Sequence, residues 1–220
     1  MEGRLSRVRE IGDVGFAEVY AHYDYLGAGT IVNVSHPAVS GGLNLSLGTA
    51  ANGYNGLDRF GRVVDQVWAD DSFSPLDEFR YGYDLAGNRT RRQNVLADAA
   101  GKDFSEVYAY DEVYRLIGTD RGRFANGSFV KASDFQDWSL DGLGNWSAFN
   151  DNGAEQERTV NAANEITAIG GSGAAQPTYD AAGNLTGDGT LRYVHDAWNR
   201  QVAVRRAADD APVAEYAYAH

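Results

Sequence analysis

"YGYDLAGNRT", Tyr81 to Thr90, returns nearly intact as "TYDAAGNLT" at Thr178 to Thr186. Setting the Asp of each as position zero and reading the rest of the chain against it produces eight copies, headed by Asp24, Asp58, Asp84, Asp111, Asp141, Asn161, Asp180 and Asp196. A pattern repeated this often is a unit of construction rather than one catalytic site. The residue before zero is Tyr23, Leu57, Tyr83, Tyr110, Leu140, Val160, Tyr179 and His195, and Tyr81, Tyr108, Trp138 and Tyr193 stand three before zero in four copies. Positions minus one and minus three share a face of a strand. The residue three after zero is Gly27, Gly61, Gly87, Tyr114, Gly144, Asn164, Gly183 and Asn199, and Gly and Asn tolerate positive φ.

That spacing describes a hairpin turn. An Asp that opens a type I turn accepts a hydrogen bond from a backbone N–H two residues on, and a residue in the left-handed conformation three later closes the bulge. In three copies Asn follows that Gly, at Asn88, Asn145 and Asn184. Tyr114 is the departure, since a bulky side chain there is strained unless the loop takes another form. β-prone segments resume after the turns in "GRVVDQVW" (Gly61 to Trp68), "RLIGT" (Arg115 to Thr119), "EITAI" (Glu165 to Ile169) and "RQVAVR" (Arg200 to Arg205). In the last, Val202 and Val204 alternate with polar neighbours, the pattern of a half-buried strand.

Successive zeros lie 34, 26, 27, 30, 20, 19 and 16 residues apart, too irregular for a solenoid of equal coils. Hairpins joined by variable loops fit, the loops being Pro37 to Asn55, Ala69 to Leu76, Leu96 to Asp103, Arg121 to Ser133 and Gly170 to Gln176. A short helix is expected only within Asn94 to Lys102. The composition agrees with an all-β chain: 13 Tyr, 9 Phe and 4 Trp stand beside one Met and 26 Gly.

No Cys is present, which excludes disulfides, thiol nucleophiles and thiolate metal sites. A formal charge of -12, with basic pairs only at Arg91-Arg92 and Arg205-Arg206, argues against nucleic acid. No stretch reaches the roughly 18 apolar residues of a membrane span, and the first residues lack a signal-peptide core. The adjacent carboxylates Asp70-Asp71 and Asp209-Asp210 point to opposite faces in a strand and read as solvated loop charges rather than a catalytic pair. His22, His36, His195 and His220 show no metal-ligand spacing. No catalytic residue, metal site or cofactor is assigned.

Two binding readings stay open. Trp68, Trp138, Trp146 and Trp198 could stack on glycans, although their repeat-fixed places suit packing along a sheet better. Asp180, Asn184 and Asp188 supply oxygens in a Gly-rich turn, yet match no calcium loop.

With the motifs in view, the chain resembles the Rhs, or YD-repeat, proteins of bacteria, whose repeat is shared with the animal teneurins. The resemblance rests on "YGYDLAGNRT", "YAYDEVYRL", "SLDGLGNW", "TYDAAGNLT" and "YVHDAWNRQ". It implies β-hairpins joined edge to edge into a spiralling sheet, part of a hollow shell that encloses a C-terminal effector or toxin in a longer, secreted or surface-borne polypeptide. By that resemblance residues 1–220 are one YD-repeat region whose partners are neighbouring repeats and the enclosed domain, with no core or toxin segment. The family's self-cleaving aspartates have no counterpart among the Asp residues named. "GRLSRV", Gly3 to Val8, looks like the second half of a repeat and "AEYAYAH", Ala214 to His220, like the first strand of another, so a fragment cut within repeats is the expectation.

Overall fold

The computed structural model describes residues 7–9, 19–27, 29–47 and 56–219. Its strands are β1 (Arg7–Arg9), β2 (Val19–Leu26), β3 (Thr30–Ser35), β4 (Asn44–Ser46), β5 (Asp65–Ala69), β6 (Pro75–Tyr83), β7 (Arg89–Asn94), β8 (Ser105–Tyr110), β9 (Leu116–Ala125) and β10 (Ser128–Leu140). β11 (Trp146–Asp151), β12 (Ala154–Val160), β13 (Ile166–Gly171), β14 (Thr178–Tyr179), β15 (Leu185–Gly187), β16 (Leu191–His195), β17 (Gln201–Arg206) and β18 (Pro212–Glu215) follow. One helix, α1 (Val95–Ala99), lies where expected, with the Asn94 side chain accepting the Ala97 N–H at 2.9 Å as its cap. The chain is nearly all β.

It forms two compact units, Met1–Arg115 with Thr119–Asp134, and Leu116–Gly118 with Phe135–His220. In the first, β1 to β8 run in chain order, each beside its predecessor, and β9 and β10 continue the order around Asn126-Gly127. In the second, the end of β10 pairs with β11, then β12 and β13 follow, and β14 to β18 make a five-stranded sheet. Every pairing with a recorded register is antiparallel, as short hairpin connections require.

The core is thin because the strands make single layers. Among the described residues only Ala21, Val32, Ala69, Ala203 and Val204 are buried hydrophobics, together with Ser105, which is fully enclosed. Ser105 ties the helix to the sheet: its hydroxyl accepts the Asn94 N–H at 2.9 Å and donates to Asp98 at 2.8 Å. Elsewhere side chains lie along the sheet and cover one another. Trp138 lies 5.8 Å from Phe149 and 6.0 Å from Trp146, and the Arg158 guanidinium sits 4.6 Å from the Trp146 ring.

Three expectations need correction. Arg121 to Ser133 is not a loop: β9 and β10 meet there around a two-residue tip in which Asn126 and Gly127 have φ of 52° and 79°, a type I′ turn. Phe124 and Phe129 face each other across it at 5.2 Å. Pro37 to Asn55 contains β4, which is paired on both sides, while residues 48–55 fall outside the described ones. In β17 the buried pair is Ala203 and Val204, adjacent residues on opposite faces, rather than the alternate valines, Val202 being half-buried. Most of "GRLSRV" also falls outside the described residues.

Candidate functional site

The recurring turn is the most elaborate polar construction in the chain. Seven copies share one backbone: the N–H at zero donates to the carbonyl at plus four, from 2.9 Å at Asp58 and Asn161 to 3.0 Å at Asp84, and the N–H at plus three donates back to the carbonyl at zero. The plus-three residue has positive φ in all of them, including Gly61, Gly87, Gly144, Gly183, Asn164 and Asn199. Tyr114 has φ of 66°, so the Asp111 loop takes the common form and carries the strain in place.

The side chain at zero then clasps the loop. One carboxylate oxygen accepts the N–H at plus four in every copy headed by Asp, at 3.0 Å for Asp58, 2.8 Å for Asp84 and Asp111, 2.9 Å for Asp141, and 3.0 Å for Asp180 and Asp196. The same oxygen accepts the N–H at plus two, as from Phe60, Val113, Leu143, Ala182 and Trp198. The second oxygen accepts from the side chain at plus four, which is Asn88, Asn145 or Asn184 in three copies and Arg62, Arg115 or Arg200 in the others. Asn161 reverses the polarity: its amide donates to Glu165 Oε2 at 2.7 Å. The role of Arg62, Arg115, Arg200 and Glu165 escaped the sequence reading, although a donor or its complement stands at plus four in every one of these copies.

These bonds hold the carboxyls of Asp84, Asp141 and Asp180 below the usual range, first through the amide at plus four. The Asp111 carboxyl is lowered first by the Arg115 N–H and then by its guanidinium. At Asp58 and Asp196 loss of water pulls upward, and the bonds to Arg62 and Arg200 outweigh it. Each clasp therefore works in the ionised form.

Asp24 does not belong with them. It lies inside β2, opposite Asn33 in β3, and accepts the Asn33 amide at 3.1 Å. The position four later is Ala28, which has no side chain to donate to a second carboxylate oxygen, and Gly27, with φ of 60°, follows the end of β2. Conversely, Asp70 heads an unsignalled copy. Its carboxylate accepts the Ser72 and Ser74 N–H groups at 2.9 and 2.8 Å, and Phe73 takes φ of 61°. Asp71 accepts from Asn44, while the exposed Asp209 and Asp210 pair with Arg206 and Arg205 in a solvated turn.

Adjacent turns are linked. The Arg62 guanidinium lies 4.6 Å from the Tyr83 ring and reaches the Asp84 carbonyl at 3.4 Å. The Asn145 amide donates to Asn164 at 3.0 Å, and that of Asn184 to Asn199 at 2.9 Å. The tyrosine before zero reaches back in the same way, Tyr83 donating to the Val63 carbonyl and Tyr110 to that of Arg89; Tyr218 makes the equivalent bond to Gln201. On the same strands Tyr81 stacks with Phe79, Tyr108 donates to Glu106 and Tyr193 to Asp188. Burial, and then the Glu106 acceptor, push the Tyr108 phenol up to about 12. Tyr23 and Tyr179 lie on β2 and β14 opposite Val34 and Leu185. His195, in the slot before Asp196, keeps a buried Nδ1 without a partner among the described residues.

The suggested calcium oxygens serve the fold. Asp180 holds its own turn, and Asp188 accepts the Thr190 and Leu191 N–H groups and the Tyr193 hydroxyl. Trp138 and Trp146 pack together and Trp68 stacks on His36, leaving Trp198 as the most exposed indole, at a turn tip.

No protein-family model matches the sequence, and no curated protein does. Solved structures do match in fold. A chain in the Photorhabdus luminescens Tc holotoxin pore, in a TccC3 mutant, superposes with a TM-score of 0.62 at 15% identity over 94% of this chain and 11% of its own length. Crystal structures of TcdB2-TccC3-TEV and TcdB2-TccC3 each superpose with a TM-score of 0.56, at 14% and 15% identity, over 94% of this chain and 10% of theirs. This chain thus spans about a tenth of the chains it matches. At such identity the likeness is one of fold.

Proposed function

We propose that the chain, which shares the fold of the Tc toxin structures it matches, serves as a stretch of wall in a shell of the Rhs, or YD-repeat, kind, without enzymatic chemistry of its own. The observation that carries this reading is where the polar chemistry goes. The most highly coordinated side chains, the clasp carboxylates, give one oxygen to backbone N–H groups of their own loops and the other to the side chain four residues on, which holds the hairpins in register. Thin single-layer sheets suit a barrier: they span a large area per residue and separate two spaces by steric exclusion.

The finer proposal is that the wall encloses a C-terminal effector or toxin domain of a longer, secreted or surface-borne polypeptide, whose partners are the neighbouring repeats and the cargo. Among the described residues no helix is long and apolar enough to cross a membrane. A glycan-stacking platform is the weaker reading, because Trp138, Trp146 and Phe149 cover one another.

The test is protease protection of the natural gene product, detected with antibodies to these repeats and to its C-terminal region. A polypeptide several times longer, with a C-terminal segment that resists added protease until the shell is denatured, is expected. A product of about this length, or a C-terminal region digested as fast as an isolated domain, would overturn the proposal. A glycan panel read by Trp fluorescence tests the alternative.

A further inference from the structure

Two hairpin tips carry the dipeptide Asn-Gly with both residues at positive φ: Asn126-Gly127 between β9 and β10, and Asn152-Gly153 between β11 and β12. Their sequence is the same and their surroundings differ. The Gly153 N–H donates to Asn150 Oδ1 at 2.8 Å, and Asn152 Oδ1 accepts the Phe135 N–H at 2.6 Å. Asn126 and Gly127 are exposed, and among the described residues neither the Asn126 side chain nor the Gly127 N–H makes a hydrogen bond. A Cβ added to Gly127 or to Gly153 would meet nothing within 4 Å, so both tips stand in open solvent and the hydrogen bonds are what distinguish them.

We propose that Asn126 is a site of spontaneous deamidation, the position of the two at which this chain is covalently altered by water. The Gly127 nitrogen, after losing its proton to solvent base, attacks Asn126 Cγ. The bond from Cγ to the side-chain nitrogen breaks, and that nitrogen leaves as ammonia, taking a proton. The resulting five-membered succinimide adds water across one of its two ring carbonyl–nitrogen bonds and opens to aspartate or isoaspartate. Water enters, ammonia leaves, and no oxidant or reductant is needed. Glycine after the asparagine favours the attack because no Cβ shields its nitrogen.

The left-handed turn conformation must loosen before ring closure, which makes the reaction sensitive to what holds each tip. Asn126 needs only the turn to relax. Asn152 must also release the bonds to Phe135 and from Gly153 to Asn150. One or two such bonds translate into roughly a five- to thirtyfold difference in the open population. The product has one more negative charge, and the isoaspartyl form places an extra backbone atom in a loop whose two-residue length sets the pairing of β9 with β10. Asn52-Gly53 and Asn55-Gly56 include residues outside the described ones and do not enter the comparison.

The experiment is incubation of the full 220-residue chain in mildly alkaline buffer, with conversion at each asparagine followed by peptide mapping and mass spectrometry. Short synthetic copies of the two tips report the rates without structure. Conversion at Asn126 roughly five- to thirtyfold faster than at Asn152, with similar rates in the two peptides, is expected. Asn150→Ala frees the Gly153 N–H and should raise the rate at Asn152 towards that at Asn126, with circular dichroism checking that the sheet is retained. Equal rates in the unaltered chain, or an Asn126 that stays intact while its peptide copy converts, would overturn the proposal, and that comparison needs no variant.

Discussion

The turns headed by Asp141 and Asn161 have the same backbone and opposite polarity. In the first, the zero position accepts and Asn145 donates at 2.9 Å; in the second, Asn161 donates and Glu165 accepts at 2.7 Å. Both still offer an oxygen to the N–H groups at plus two and plus four. What the turn requires is therefore an Asx side chain at zero and a complementary partner four residues on, and the carboxylate is one way of meeting that requirement. A second contrast, Gly87 against Tyr114 at the same left-handed position, shows that the backbone form prevails over the preference of an individual residue.

Acid should break the comparison most strongly. The Asp58, Asp84, Asp111, Asp141, Asp180 and Asp196 carboxyls all lie below their free range in the folded chain. Depressed folded values mean that stability is fully present above the ordinary carboxylate pKa of about 3.9 and is lost as pH falls through the lower folded values. Urea midpoints should hold steady from neutrality to about pH 5 and then drop steeply. Next to Asp180, His195 also works against protonation of that carboxyl. A flat profile below pH 4 would contradict the clasp account.

Gly87→Val comes next, with a loss of about 1–3 kcal/mol in denaturant titration, since a β-branched residue is forced to positive φ. An unchanged midpoint would mean that the loop can adopt another form. The polarity comparison itself is sharpened by a double-mutant cycle on Asn161→Asp and Glu165→Asn. The first alone sets two carboxylates against each other, and both together recreate the Asp141 arrangement. A coupling energy of about 1 kcal/mol is expected, and additive effects would show that the pair does not interact. The smallest effect is a gain: Tyr114→Gly should stabilise the chain by up to about 1 kcal/mol by relieving left-handed strain, partly offset by the flexibility of glycine when unfolded.

Much of this was legible from local chemistry. The Asp84, Asp141 and Asp180 turns could be read because their bonds join residues within five positions, and the short helix because Asn94 caps it. The rest depends on partners outside the motif or distant in the sequence. Asp24 carries the turn signal without a side-chain partner at Ala28, and Asp70 heads a turn without the signal, since Phe73 stands in place of Gly. Asn126-Gly127 is a strong hairpin signal that went unused because "RGRFANGSFVKAS" shows little alternation, and a single-layer sheet with a thin core imposes little.

By itself, the sequence determined the all-β character, the repeating unit and the turn that closes it, because each of these depends on backbone preferences and hydrogen bonds within a few residues. Only the tertiary structure decided which residues meet between turns, as Arg62 meets Tyr83 and Asn145 meets Asn164, and which of two identical Asn-Gly tips is pinned. The contacts between distant residues span 17 to 21 positions, and which tip is pinned depends on strand register. Register is settled by the pairing of whole strands, which no single stretch of sequence contains.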